Sequence, residues 1–252
     1  MSWLNRVQHL AASFLFVSSL LILLSFGASV AAAQASDPEM EQGSHLLEEG
    51  RTTLSDSVLT QARDFFTRLT QRHPDNAVYF YELARVNFYR CEAYATHGDK
   101  KNAERALDRA IENAQQSIKL NEKSADTHSL LGDLYGRKIG FGMPMFSGPK
   151  YGPKSQAENK RALELDANNP RVFASWGREY LNAPKMFGGD LDKAIESFRK
   201  STLLDPNFDE TYVWLAIALR KKGDAAGADR ALQQSLKLNP QSVFAQQTAA
   251  KK

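Results

Sequence analysis

The 252-residue chain is 42% hydrophobic and 10% aromatic, enough to bury a sizeable core, which excludes a disordered or fibrous chain. Its 32 basic and 29 acidic residues leave a formal charge of +3, and the lysine pairs Lys100-Lys101 and Lys221-Lys222 are short and scattered, which argues against nucleic acid as a partner. Cys91 is the only cysteine, so no intramolecular disulfide can form and the fold must rest on its core.

In chain order, the first segment differs from all that follows. Arg6 is the only formal charge before Asp37, and Leu10 to Phe26 reads LAASFLFVSSLLILLSF. Small residues follow at Ala31, Ala33 and Ala35. A weakly basic start, an apolar run and an A-x-A site predict a secretory signal peptide over residues 1–35. The apolar run continued through Ala33 is also about long enough to span a bilayer, so retention as an N-terminal anchor is the alternative. Export, to a bacterial periplasm, is expected on the first reading, and membrane attachment through this segment alone on the second.

Residues 36–240 then read as repeating helical pairs. GSHLLEEGRTTLSDSVLTQARDFFTRLTQRHP places Gly50, Ala62, Phe66 and Pro74 at the spacing of a 34-residue unit. The next unit runs 48 residues from Pro74 to Glu122, with its turn at Gly98-Asp99 seven residues late and its second helix equally long, which predicts a hairpin lengthened by two turns. A third, with Leu131, Gly132 and Tyr135, spans 45 residues from Glu122 to Ala167, and its excess falls on GFGMPMFSGPKYGPKS at 140–155. In the fourth, Trp176, Gly177 and Tyr180 precede an enlarged turn, LNAPKMFGGD at 181–190, then Ala194 and Phe198. The fifth fills the 34 residues from Pro206 to Pro240, with Leu215, Ala216, Leu219, Gly223 and Ala228 in register. Residues 241–252 read as a short capping helix or tail.

These spacings and small-large positions resemble the tetratricopeptide repeat, a pair of antiparallel helices. The expectation is an all-α, right-handed solenoid of about five such hairpins, one lengthened and two with turn insertions. The combination GPK, ALELDANNPR and P-x-x-FGGD is similar to a group of exported bacterial repeat proteins. The long second hairpin resembles, more faintly, the regulator of microtubule dynamics proteins. Those lie in eukaryotic cells, and the A-x-A signal argues against carrying their role over.

No residue set points to catalysis, a cofactor or a metal. The stretch at 140–155 has Pro149 and Pro153 directly before Lys150 and Lys154, and proline has no N–H to give a phosphate. His45, His73, His97 and His128 stand outside any H-E-x-x-H or paired-cysteine setting, and no serine sits in a G-x-S-x-G elbow. The expectation is a scaffold rather than an enzyme.

Two surfaces are candidates for binding another protein. The resemblance implies groove positions on the first helix of each hairpin. They carry Arg51, Arg85, Arg137, Arg171, Arg178, Arg220 and Lys221, against Asp126, Asp133 and Glu210, with Tyr81, Phe88 and Tyr89 as aromatic surface. An acidic or C-terminal peptide is the expected guest, because arginine pairs a carboxylate bidentately. The alternative is a solvated face whose arginines have local partners. The second surface is the edge where the hairpin turns emerge, with Phe141, Met143, Met145, Phe146, Tyr151, Met186 and Phe187 forming either a local core or an adaptable binding patch. The runner-up function is a small-ligand-binding or solute-transport accessory protein.

Overall fold

The structure, a computed structural model, describes residues 38–251, so the predicted signal segment lies outside the described residues. Contacts divide the chain into residues 1–42 and a compact unit of residues 43–252, and the account below concerns the second. The described residues form five helical hairpins: α1 (Pro38–Thr53) with α2 (Asp56–Arg72), α3 (Ala77–Thr96) with α4 (Lys100–Leu120), α5 (Ala125–Phe141) with α6 (Pro144–Leu165), α7 (Pro170–Asn182) with α8 (Leu191–Leu204), and α9 (Asp209–Lys222) with α10 (Ala225–Leu238). A single-turn 3-10 helix (Lys185–Phe187) interrupts the fourth turn, and α11 (Val243–Ala250) closes the chain. None of the described helices is long and apolar enough to cross a membrane.

Polar residues between the apolar runs set the helix starts. The side chains of Ser55, Asn76, Asp99, Ser124, Asn169, Asp190, Asp224 and Ser242 each accept a hydrogen bond from a backbone N–H in the first turn that follows. The turns of the second, fourth and fifth hairpins use a left-handed residue, which Gly98, Gly188 and Gly223 supply at φ 76°, 93° and 93°. In the first hairpin Leu54 takes that place at φ 49°.

Small residues let the paired helices approach. A Cβ on Gly177 would stand 2.5 Å from Phe198, which is fully buried between α7 and α8. From Leu181 to Ala245 one apolar cluster joins α7, α8, α9, α10 and α11. A second joins α3, α4 and α5 through Leu107, Leu131 and Leu134, with Cys91 inside it. Burial pushes the Cys91 thiol up to about 12, which leaves it inert at neutral pH.

A serine near the end of the second helix ties some units to the next. Ser117 donates to the Ala77 carbonyl at 2.8 Å and meets Thr127 at 3.3 Å. Ser201 repeats this with the Pro170 carbonyl at 2.8 Å and Thr211 at 3.3 Å. In the third unit the same two places hold Ala162 and Val172, both fully buried, so an apolar contact replaces the polar one. In the fifth they hold Ser235 and Ala245, and the buried Ser235 hydroxyl has no partner among the described residues.

The third hairpin refines the expected turn insertion. Residues 140–155 extend both of its helices and leave a turn only at Gly142-Met143. On α6, Ser147, Tyr151, Ser155 and Asn159 recur every four residues on the packed face, while Pro149 and Pro153 lie exposed. Ser155 donates to the Gly132 carbonyl at 2.8 Å and Ser147 to the Ile139 carbonyl at 3.0 Å, so short hydroxyls let α6 lie close along α5. The prolines remove the N–H groups that would bond the carbonyls of Met145 and Pro149, and the solvent side is where water can satisfy those carbonyls.

Candidate functional site: the concave axis and the turn edge

Among the predicted groove residues Arg51, Tyr81, Arg85, Tyr89, Arg171 and Arg178 come together, and carboxylates of the same chain meet them, whereas Arg137, Arg220 and Lys221 have separate partners. Arg51, with its side chain 11% exposed, bonds Glu48 one turn back through Nε at 3.0 Å. Its far end reaches across 158 residues to Asp209, 3.0 Å away, with Glu210 at 3.9 Å. Tyr89 donates to Glu210 Oε2 at 3.1 Å. Asn239 donates to both Thr52 Oγ1 at 3.0 Å and Asp209 Oδ2 at 2.9 Å. The first and last hairpins therefore meet, and the superhelix closes around its own axis.

The other groove residues are partnered as well. Arg85 bonds Glu82 at 2.7 Å and lies over the Tyr81 ring, 5.8 Å from its centroid. Arg178 forms a two-pronged pair with Asp133 of the preceding unit, its Nε at 3.0 Å from Oδ1. Arg171 lies over Phe208, 5.2 Å from the ring centroid, and Arg137 bonds Glu92 at 2.6 Å while covering Phe141. Arg220 caps α11, donating to the carbonyls of Thr248 at 3.0 Å and Lys251 at 3.1 Å. Lys221 donates to the Leu181 carbonyl at 3.2 Å.

Titration follows from this packing. Burial raises the Tyr81 phenol to about 12, and burial together with the neighbouring Glu210 carboxylate raises that of Tyr89. Burial opposes the charge on Arg51, but Glu48, Tyr89, Asp209 and Glu210 outweigh it and hold the guanidinium charged. Burial would lift Glu48, yet the bond and charge of Arg51 bring its carboxyl below the usual range. Burial raises Glu179, which accepts from Asn159 Nδ2 at 2.6 Å on the edge of this network.

A polar cleft of about 690 Å³ opens at the seam between the first and last hairpins, with Arg51, Glu48, Asp209 and Asn239 in its wall. Glu48, Asp209, Asn239 and Thr52 are the axial residues that sequence reading did not place in the groove. Asp209 reads locally as an ordinary acidic residue of a first helical turn, and Glu210, expected in the groove, has no partner legible in the sequence. Only the curvature of the whole unit brings them to Arg51. No group of three His, Cys, Asp or Glu among the described residues could hold a metal ion.

At the turn edge, the seven predicted apolar residues divide. Phe141 and Tyr151 are half-buried against the α3–α4–α5 core, and Tyr151 stacks on Tyr135 with centroids 6.1 Å apart. Met143, Met145 and Phe146 at the tip of the third hairpin, and Met186 and Phe187 in the fourth turn, are exposed. Gln156 on α6 donates to the Phe187 carbonyl at 3.4 Å, so the fourth turn rests about three helical turns below the third hairpin's tip.

Axis and edge are two surfaces of one helical-repeat scaffold. Two family models, each described as tetratricopeptide repeat, match residues 210–242 and 186–208. Residues 186–208 and 210–242 thus carry the tetratricopeptide repeat, and the fold of the described residues is that of tetratricopeptide repeat proteins. Among solved structures, it is similar to TTC0263, a thermophilic TPR protein of Thermus thermophilus, at 17% identity and TM-score 0.61, covering 82% of this chain and 97% of that one. Lesser likenesses are to YrrB, a TPR protein with an unusual peptide-binding site (15% identity, TM-score 0.41, 89% of this chain and 97% of that one), and to MamA of Desulfovibrio magneticus (14%, 0.40, 83% and 99%). No curated protein sequence matches the chain.

Proposed function

We propose that this protein is an exported protein-binding scaffold whose axial arginines receive an acidic or C-terminal segment of a partner. The observation that carries the reading is Arg51 holding Asp209 across 158 residues, with Tyr89 on the adjacent Glu210. The chain's own carboxylates stand where a guest's would, and Arg51 already makes the contact that the guest needs. A partner enters through the seam cleft, which Arg51 lines, and exchanges with Asp209 and Glu210. Export rests on the A-x-A segment at 31–35.

A library of acidic and carboxylate-terminated peptides, read by fluorescence anisotropy, tests this. Binders should tighten with Glu210→Gln, which removes the internal competitor, and weaken at least tenfold with Arg51→Gln in a protein of unchanged helicity. If no binder responds to Arg51→Gln, the groove reading fails. The cleft's volume favours a small polar ligand as the second reading, one that Arg51→Gln would also weaken but that no peptide would displace.

A further inference from the structure

We infer that the tip of the third hairpin docks on an anionic lipid bilayer, a function separate from the axial site. Met143, Met145 and Phe146 are 68%, 77% and 66% exposed at this tip. An apolar end that stays uncovered marks a surface with an absent partner.

The charge around the tip is mainly basic, with the Asp99 carboxylate at the start of α4 beside Lys100 and Lys101. No Asp or Glu occurs between Asp133 and Glu158, while Lys150 and Lys154 are exposed on α6. They arch over Tyr151 and Tyr135, with Nζ 5.1 and 5.5 Å from the ring centroids, so aromatic surface supports their stems and no carboxylate neutralises them. Lys138 meets Glu104 at 3.2 Å and Asp108 at 2.6 Å, which fixes α4 antiparallel to α5. That register brings the exposed Lys100 and Lys101, at the start of α4, level with the Gly142-Met143 turn. The result is an apolar tip of Met143, Met145 and Phe146 backed by Lys100, Lys101, Lys150 and Lys154, which outnumber the one nearby carboxylate of Asp99.

That pattern selects the occupant. A second copy presenting the same tip would set lysine against lysine. A protein partner anchors its hot spots in pockets, whereas the apolar side chains here are exposed at the turn that ends a hairpin. A bilayer accepts any convex apolar wedge, while its anionic headgroups meet lysines held at the interface. The prolines at 149 and 153 stand on the same exposed side of α6, behind the wedge.

The test uses the full chain with a polarity-sensitive fluorophore on Met145→Cys; Cys91 is buried, so labelling falls on the introduced thiol. A label on Lys237→Cys, at the opposite edge, is the control. With phosphatidylglycerol-containing vesicles the label at 145 should shift to the blue and resist iodide quenching, whereas phosphatidylcholine vesicles and the control position should give neither effect. Raising the salt, or combining Lys100→Glu, Lys101→Glu, Lys150→Glu and Lys154→Glu, should weaken the response at least tenfold. If the chain sediments with vesicles while the label at 145 stays quenchable, the N-terminal apolar run does the binding and the inference is overturned. Shielding of the label by the protein's own concentration, or only by an added acidic protein, would equally overturn it.

Discussion

Ser201 and Ser235 stand 34 residues apart at the same place in two successive hairpins, and only Ser201 has a partner. Ser201→Ala should cost about 1–2 kcal/mol, because the Pro170 carbonyl and Thr211 lose their bond, while Ser235→Ala should be neutral or slightly stabilising. Urea unfolding of the two variants makes the comparison. Glu179 gives a pH-dependent prediction. Its folded pKa lies above the ordinary value, so the stability it contributes is full below that ordinary value and is lost as pH rises through the folded pKa. Glu179→Gln should therefore melt above the parent at pH 7, and the gap should close near pH 4. The serine spacing is legible in the sequence; the missing partner is not, because it depends on Ala245 packing where Thr211 meets Ser201 and Thr127 meets Ser117.

The helices themselves follow from local signals, and the third hairpin shows where such signals conflict. Four glycines and three prolines in sixteen residues read as a break, yet the chain builds helix there. The i, i+4 stripe of Ser147, Tyr151, Ser155 and Asn159 packs on α5 and outweighs the two missing hydrogen bonds. Replacing Pro149 or Pro153 by alanine should then stabilise by about 2 kcal/mol each, the helix-interior cost of proline less its gain from a stiffer unfolded chain. The same element separates core from surface. Tyr151→Ala should cost about 2–3 kcal/mol, whereas Phe146→Ser should stay within about 0.5 kcal/mol, both measured by thermal unfolding. The edge residues were readable as a group, but their division was not, since it depends on which of them reach the α3–α4–α5 core.

At the scale of the whole unit, repeat counting foretold five hairpins but not how tightly they wind. Arg51, Arg85, Arg171 and Arg178 were legible as one basic stripe because they recur on first helices. Glu210 was legible as a groove position too, but Asp209 was not, nor was the pairing of Arg51 with both, since they arrive from the far end of the chain. The closed axis is the central claim, and spin labels on Glu49→Cys and Gln241→Cys, either side of the seam cleft, report on it directly. A single short distance in the free protein, lengthened by Arg51→Glu, is the predicted result. A broad, long distance in the unmodified protein, unchanged by Arg51→Glu, would contradict the account.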